Sequence, residues 1–90
     1  MQRERRTLML CACEFWCGDP YITGEDALDD ARQVASIVKG KKIPSSEVEQ
    51  VVVWVSCRML SKNRELSPQE AVRKALWLYD ATEEDMRIEM

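Results

Sequence analysis

The sequence predicts an all-α fold, a compact bundle of three to four short helices. Three observations carry this expectation. Apolar residues recur at three- and four-residue steps in three separate segments. Each of those segments opens on a serine or threonine placed to cap a helix. The stretches between them, "GDPYIT", "GKKIP" and "KNREL", are short, as in a closely packed bundle. The alternative is a small β-α-β-α domain, in which the first apolar segment and "QVVVWVSC" would be strands.

The opening stretch, "LMLCACEFWCG" (Leu8 to Gly18), is the hardest to assign. As a helix it groups Leu8, Cys11, Ala12 and Phe15 on one side and Met9, Cys13 and Cys17 on another. Thr7 and Glu14 then form the polar gap. As a strand it would be a nearly continuous apolar run of buried type. Its leucine, methionine, alanine and glutamate content favours helix.

The next segment, Gly24 to Lys39, shows Ala27, Ala31, Val34, Ala35 and Val38 at helical spacing. Thr23 is placed to cap it with Asp26 three residues on, and Gly40 to end it in a left-handed conformation. A further helix is expected from about Glu47 to Lys62, announced by Pro44 and by a capping box at Ser46–Glu49. Val48, Val52, Val55 and Met59 line one of its faces, and Val53, Cys57 and Leu60 give it a second apolar stripe. Four valines and a tryptophan here favour strand, but the capping box and the pattern continuing to Leu60 fit helix better. The last helix opens with Ser67 as cap, Pro68 at its first position and Glu70 at its third. Its core face is Val72, Ala75, Leu76 and Tyr79, flanked by Ala71 and Leu78. Residues 82–90 form an acidic tail that extends this helix, adds a turn or frays. The 90 residues are expected to make one domain.

"LSPQEAVRKALWLYDA" resembles the second helix of ribbon-helix-helix repressors and antitoxins over about sixteen residues. Membership would imply a DNA-binding dimer with a short strand before its first helix. "VKGKKIP" lacks the apolar–polar alternation of such a strand.

With a net charge of −3 and 32% charged residues, the chain has a folded protein's composition without the basic excess usual in nucleic-acid binders. No apolar run approaches the roughly 18 residues that span a bilayer. "MQRERR" before "TLMLCAC" imitates a secretory leader, yet the uninterrupted apolar run before Cys13 is shorter than the ~7–15 residues a leader needs. A cytoplasmic, reducing location is therefore expected, with the cysteines unpaired rather than joined in two disulfides.

Acidic and basic residues are segregated along the chain, largely as helix dipoles favour, with acids in first turns and bases in last turns. A basic surface of Lys41, Lys42, Arg58, Lys62, Arg64, Arg73 and Lys74 is the basis for a nucleic-acid-binding regulator as the alternative function.

The tryptophans are more telling. On a helical projection Trp54 falls among Glu47, Gln50, Arg58 and Ser61, and Trp77 falls among Glu70, Arg73 and Lys74. Both lie away from the apolar face of their own helix. A large ring rimmed by charge is the usual composition of an interface anchor; the alternative is that each ring folds over neighbouring aliphatic stems or that another helix covers that face. Trp77, Trp54, Arg73, Lys74 and Arg58 are the candidate partner-binding residues.

Cys11, Cys13, Cys17 and Cys57 are the candidate metal ligands, since the chain has no histidine. In a helix Cys11 points about 160° from Cys13, and the spacing lacks the paired-cysteine pattern of zinc knuckles. Core or interface packing is the expected role of these thiols, and no cofactor is implied. Neither a C-x-x-C motif nor a nucleophile–histidine pair is present, so catalysis is not expected. The sequence thus points to a small non-enzymatic interaction module, an adaptor or inhibitor docking on another protein or as a homodimer on its own copy, with the apolar first segment and the polar-face tryptophans as its contact surfaces.

Overall fold

The computed structural model describes residues 2–89, and side chains as far as Glu84. Four helices account for most of the chain: α1 Arg3–Gly18, α2 Gly24–Lys39, α3 Ser46–Lys62 and α4 Pro68–Glu89. The fold is all-α, with no strand among the described residues. Both segments with strand-like composition are therefore helical. The tail continues α4 through Thr82 to Glu89 rather than starting a separate turn.

Three of the four helices are started by local chemistry. At α2 the Thr23 hydroxyl accepts from the Asp26 amide at 3.1 Å, and the Asp26 carboxylate accepts from the Thr23 amide at 3.3 Å, a complete capping box. At α4 the Ser67 hydroxyl accepts from the Glu70 amide at 3.1 Å. At α3 the cap is Ser45, one residue earlier than expected, and its hydroxyl accepts from the Val48 amide at 3.2 Å. Ser45 is extended after Pro44, so Ser46 is already helical and Val48 occupies the third position. The reciprocal carboxylate of a box is therefore missing there. α1 has no side-chain cap, and Arg3, Arg5 and Arg6 sit where the helix dipole disfavours cations.

Gly40 does not take the expected left-handed conformation; its φ of −77° and ψ of −4° are right-handed helical. Its amide donates to the Ile37 carbonyl at 3.1 Å, and the Lys41 amide to Val38 at 3.0 Å. This three-residue tightening satisfies the last carbonyls of α2 without a reversal of hand.

α1 runs antiparallel to α2, since Glu4 and Thr7 lie near Lys39 at one end and Trp16 lies on Gly24 at the other. It runs parallel to α3, with Cys11 beside Val53, Glu14 beside Arg58 and Gly18 beside Ser61. α4 packs on α2 and α3, and among the described residues its backbone does not approach that of α1. One core joins all four helices: Cys11 and Phe15 from α1, Ala27, Ala31, Val34 and Val38 from α2, Val52, Val53, Cys57 and Leu60 from α3, and Ala71, Val72 and Ala75 from α4. Alanines four residues apart on α2 and α4 leave short side chains between these backbones, and Phe15 is the one aromatic ring in this buried set.

Two sequence expectations about facing are corrected. The buried side of α3 is centred on Val53, Ser56, Cys57 and Leu60 with Val52, while Val48, Val55 and Met59 are only half-buried. α1 and α4 flank α3 on different sides, so its second stripe became the centre. Thr7 is not part of a polar gap but buried, its hydroxyl donating to the Arg3 carbonyl at 3.0 Å. Ser56 is buried in the same way, donating to Val52 at 2.7 Å. Each hydroxyl spends its donor on its own helix, which makes it acceptable in an apolar core.

Candidate interaction surfaces

α1 is apolar nearly all round, and only one side of it is used. Its inner side carries Cys11 and Phe15, and Glu14 turns toward α3, where it pairs with Arg58 at 3.4 Å and accepts from Ser61 at 3.5 Å. Met9, Leu10, Cys13, Trp16 and Cys17 are left facing outward. Met9, Leu10 and Trp16 are 55%, 50% and 56% exposed, so the face is open to solvent along about two turns. Met9, Ala12, Cys13, Trp16 and Cys17 join Gly24 and Leu28 of α2 in a shallow groove of about 490 Å³. Gly24 lets the ring lie close: a β-carbon there would be 3.0 Å from the Trp16 ring, which would have to shift by a few tenths of an ångström.

A second groove, of about 460 Å³, lies between α3 and α4. Val55, Met59 and Leu66 form its apolar lining, and Arg58, Lys62 and Lys74 supply charge beside them. Further along α4, Trp77 is 67% exposed and Leu78 is 40% exposed.

The expected partner-binding residues divide between these surroundings. Trp77, Arg73 and Lys74 are all exposed on α4. Trp54 is half-buried in the seam between α1 and α3, near Arg3, Arg6, Thr7 and Leu10. The Arg58 guanidinium lies 5.5 Å from the centre of the Trp54 ring while it pairs with Glu14. Trp54 and Arg58, one turn apart on α3, thus form a cation–π pair within that helix, while the Arg58–Glu14 ion pair ties α3 to α1 and Arg58 also reaches the α3–α4 groove. Trp54 and Trp77 are not brought together.

The basic residues are likewise dispersed. Lys41 and Lys42 precede α3, whereas Lys62 and Arg64 lie at its far end, about 25 Å away along the 17-residue helix. Arg64 pairs with Asp30 at 3.4 Å and lies over the Phe15 ring at 5.3 Å. Arg58 and Arg64 are therefore already engaged within the fold.

The four cysteines fall into two pairs on opposite sides of α1. Cys11 and Cys57 are buried against each other, and the Cys11 thiol lies 3.9 Å from the Val53 carbonyl. The hydrogen bond with Cys11, followed by burial, pushes the Cys57 thiol far above its ordinary range. Cys13 and Cys17 are exposed one turn apart, with sulfurs 3.9 Å from one another. That contact raises the Cys13 pKa, since each proton retained serves the neighbouring sulfur. The four sulfurs do not converge, and no group of three candidate ligands is assembled among the described residues.

The sequence marks the apolar first segment as a contact surface but does not single out Met9, Leu10 and Trp16, which form its exposed face. A ring on a polar side announces itself; a ring among apolar neighbours does not. The usable signal was that Thr7 to Gly18 contains one charge, Glu14, in a chain too small to cover an all-round apolar helix. Among the described residues no helix is long and apolar enough to cross a membrane. No protein-family model matches this sequence, and comparison with curated proteins and with solved structures finds no significant match.

Proposed function

We propose that this chain is a small non-enzymatic protein–protein interaction module, an adaptor or inhibitor that docks through the outward face of α1, with Trp77 on α4 as a separate anchor. The carrying observation is the exposure of Met9, Leu10 and Trp16 side by side on a helix whose inner face is already satisfied by the core. A contiguous exposed apolar face on a small domain marks a contact surface rather than an accident of composition. The thiols support binding over catalysis, since Cys57 is buried and both it and Cys13 are held toward the protonated form. Two unpaired surface cysteines also suit a reducing, cytoplasmic setting.

The test compares the tagged full chain with Met9→Ser/Trp16→Ser and Trp77→Ala variants in capture and sedimentation experiments. Far-UV circular dichroism and thermal melts provide fold controls. The α1 variant should lose its companion, or its own dimer, while melting like the parent. Trp77→Ala should weaken only contacts made by α4. Identical captured proteins and sedimentation for all three chains would remove the proposal. Duplex-DNA affinity that collapses with salt, and that depends on Lys62, Arg73 and Lys74 rather than on Trp16, would replace it with the nucleic-acid reading.

A further inference from the structure

The outward face of α1 has an internal polarity that specifies what covers it. At its beginning are Arg3, Arg5 and Arg6, all exposed, with Arg6 in line with Met9 and Cys13. At its end are Asp19, just after the helix, and Glu25 and Asp26, exposed at the start of α2. Arg6 and Asp19 are 13 positions apart, about 20 Å along the axis. The face is therefore basic at one end, apolar in the middle and acidic at the other. Its steric profile is graded too: small Cys13 is at the centre, with bulky Met9 and Leu10 on one side and Trp16 on the other.

A surface ordered this way is complementary to itself after a half-turn about an axis perpendicular to α1. That is the condition for an isologous interface. The rotation brings basic against acidic ends and sets the two helix dipoles antiparallel. With the axis at Cys13, Leu10 falls opposite the second copy's Trp16 and Met9 opposite the second copy's Cys17. Arg6 then approaches the second copy's Asp19 end, and the small central residues let the two backbones come close.

Resting on the interaction-module reading above, we propose that the occupant of the α1 face is a second copy of this chain, docked as a two-fold antiparallel α1–α1 pair centred on Cys13. The pairing covers Met9, Leu10 and Trp16 in both copies and leaves Trp77 free on each.

Sedimentation equilibrium combined with thiol crosslinking tests this directly. A bismaleimide with a short ethylene spacer joins two thiols by addition across its double bonds and needs no oxidant. In Cys17→Ala the two Cys13 thiols meet at the axis, so a crosslinked dimer should form in high yield. In Cys13→Ala the two Cys17 thiols are about 12 Å apart along the helices, and the dimer band should be lost. Trp16→Ala and Arg6→Glu should each raise the dimer dissociation constant by at least about tenfold, the latter more strongly at low salt. Both alter exposed side chains, and an unchanged thermal melt of the monomeric variant confirms that the fold is retained. A monomer at every accessible concentration overturns the pairing. So does equal crosslinking through Cys13 and Cys17, or a dimer that responds to Trp77→Ala but not to Trp16→Ala. If the chain is monomeric while Met9→Ser/Trp16→Ser still abolishes capture of a companion, the self-pairing fails and the module reading stands. Unchanged capture by a monomer ends both.

Discussion

The Cys57 thiol is buried beside Cys11, and the fold favours its protonated form. Its pKa is raised in the folded state, chiefly by the hydrogen bond with Cys11 and then by burial. In the unfolded chain the thiol ionises near its ordinary value of about 8.5. Below that pH both states hold the proton, and the group contributes no pH dependence. Above it the unfolded state binds fewer protons than the folded state, so stability falls as pH rises, by at most about 1.4 kcal/mol per pH unit for one group. Cys57→Ala should therefore show a shallower loss of stability between about pH 8.5 and pH 10 than the parent, measured by urea unfolding in reducing buffer. Parallel pH profiles for the two proteins would show that the Cys57 proton is not linked to folding. At this scale the sequence was informative where chemistry is local and silent where it depends on neighbours. Thr23 and Ser67 could be read as caps because their partners lie three residues away. Trp54 could not be assigned to the α1–α3 seam, because its covering residues come from the start of the chain.

Among the elements, α1 has the weakest local support and the most revealing surface. α2, α3 and α4 each begin with a hydroxyl accepting an amide of the first turn, whereas α1 begins at Gln2 with no side-chain bond and three arginines nearby. Its helical state is thus held mainly by Cys11 and Phe15 packed in the core, as is usual for helices of this length. Gln2 already has extended backbone angles, φ −62° and ψ 144°, that suit a cap. Gln2→Ser should place a hydroxyl near the unpaired first-turn amides and raise stability by about 0.5–1 kcal/mol. The readout is a higher urea midpoint with an unchanged m-value; an unchanged midpoint would mean that the first turn of α1 frays whatever stands at Gln2. The same element shows the limits of periodicity. α2 has one apolar stripe, so its core face was legible from Ala27, Ala31, Val34 and Val38. On α4 Val72 and Ala75 are buried as expected, but Ala71, placed at the margin, is fully buried, and Leu76 and Tyr79 are only half-buried. α3 has two stripes, and α1 is apolar almost throughout. Which side of such a helix is buried depends on the placement of its neighbours, and that information is spread over the whole chain.

At the scale of the molecule, α2 and α3 are the shared elements, and α1 and α4 attach to them without their backbones approaching one another among the described residues. This connectivity sets how damage should propagate. Cys11 on α1 has its thiol 3.9 Å from the Val53 carbonyl on α3, and both side chains belong to the buried core, so truncating both opens space in one neighbourhood. Cys11 and Val72 belong to α1 and α4, whose backbones do not approach each other among the described residues. A double-mutant cycle of Cys11→Ala with Val72→Ala should therefore be additive within about 0.5 kcal/mol. The cycle of Cys11→Ala with Val53→Ala should depart from additivity by more than that, because the second truncation relaxes into space left by the first. Unfolding should be followed at concentrations low enough to keep the chain monomeric, since self-association through α1 would add a concentration-dependent contribution to every α1 variant. Equal coupling in the two cycles would mean that strain crosses α2 and α3 undiminished, so that the α1 face and the Trp77 anchor respond to one another. Coupling confined to the α1–α3 pair would instead leave α1 and α4 energetically separate, free to hold two partners at once on opposite flanks of the α2–α3 pair.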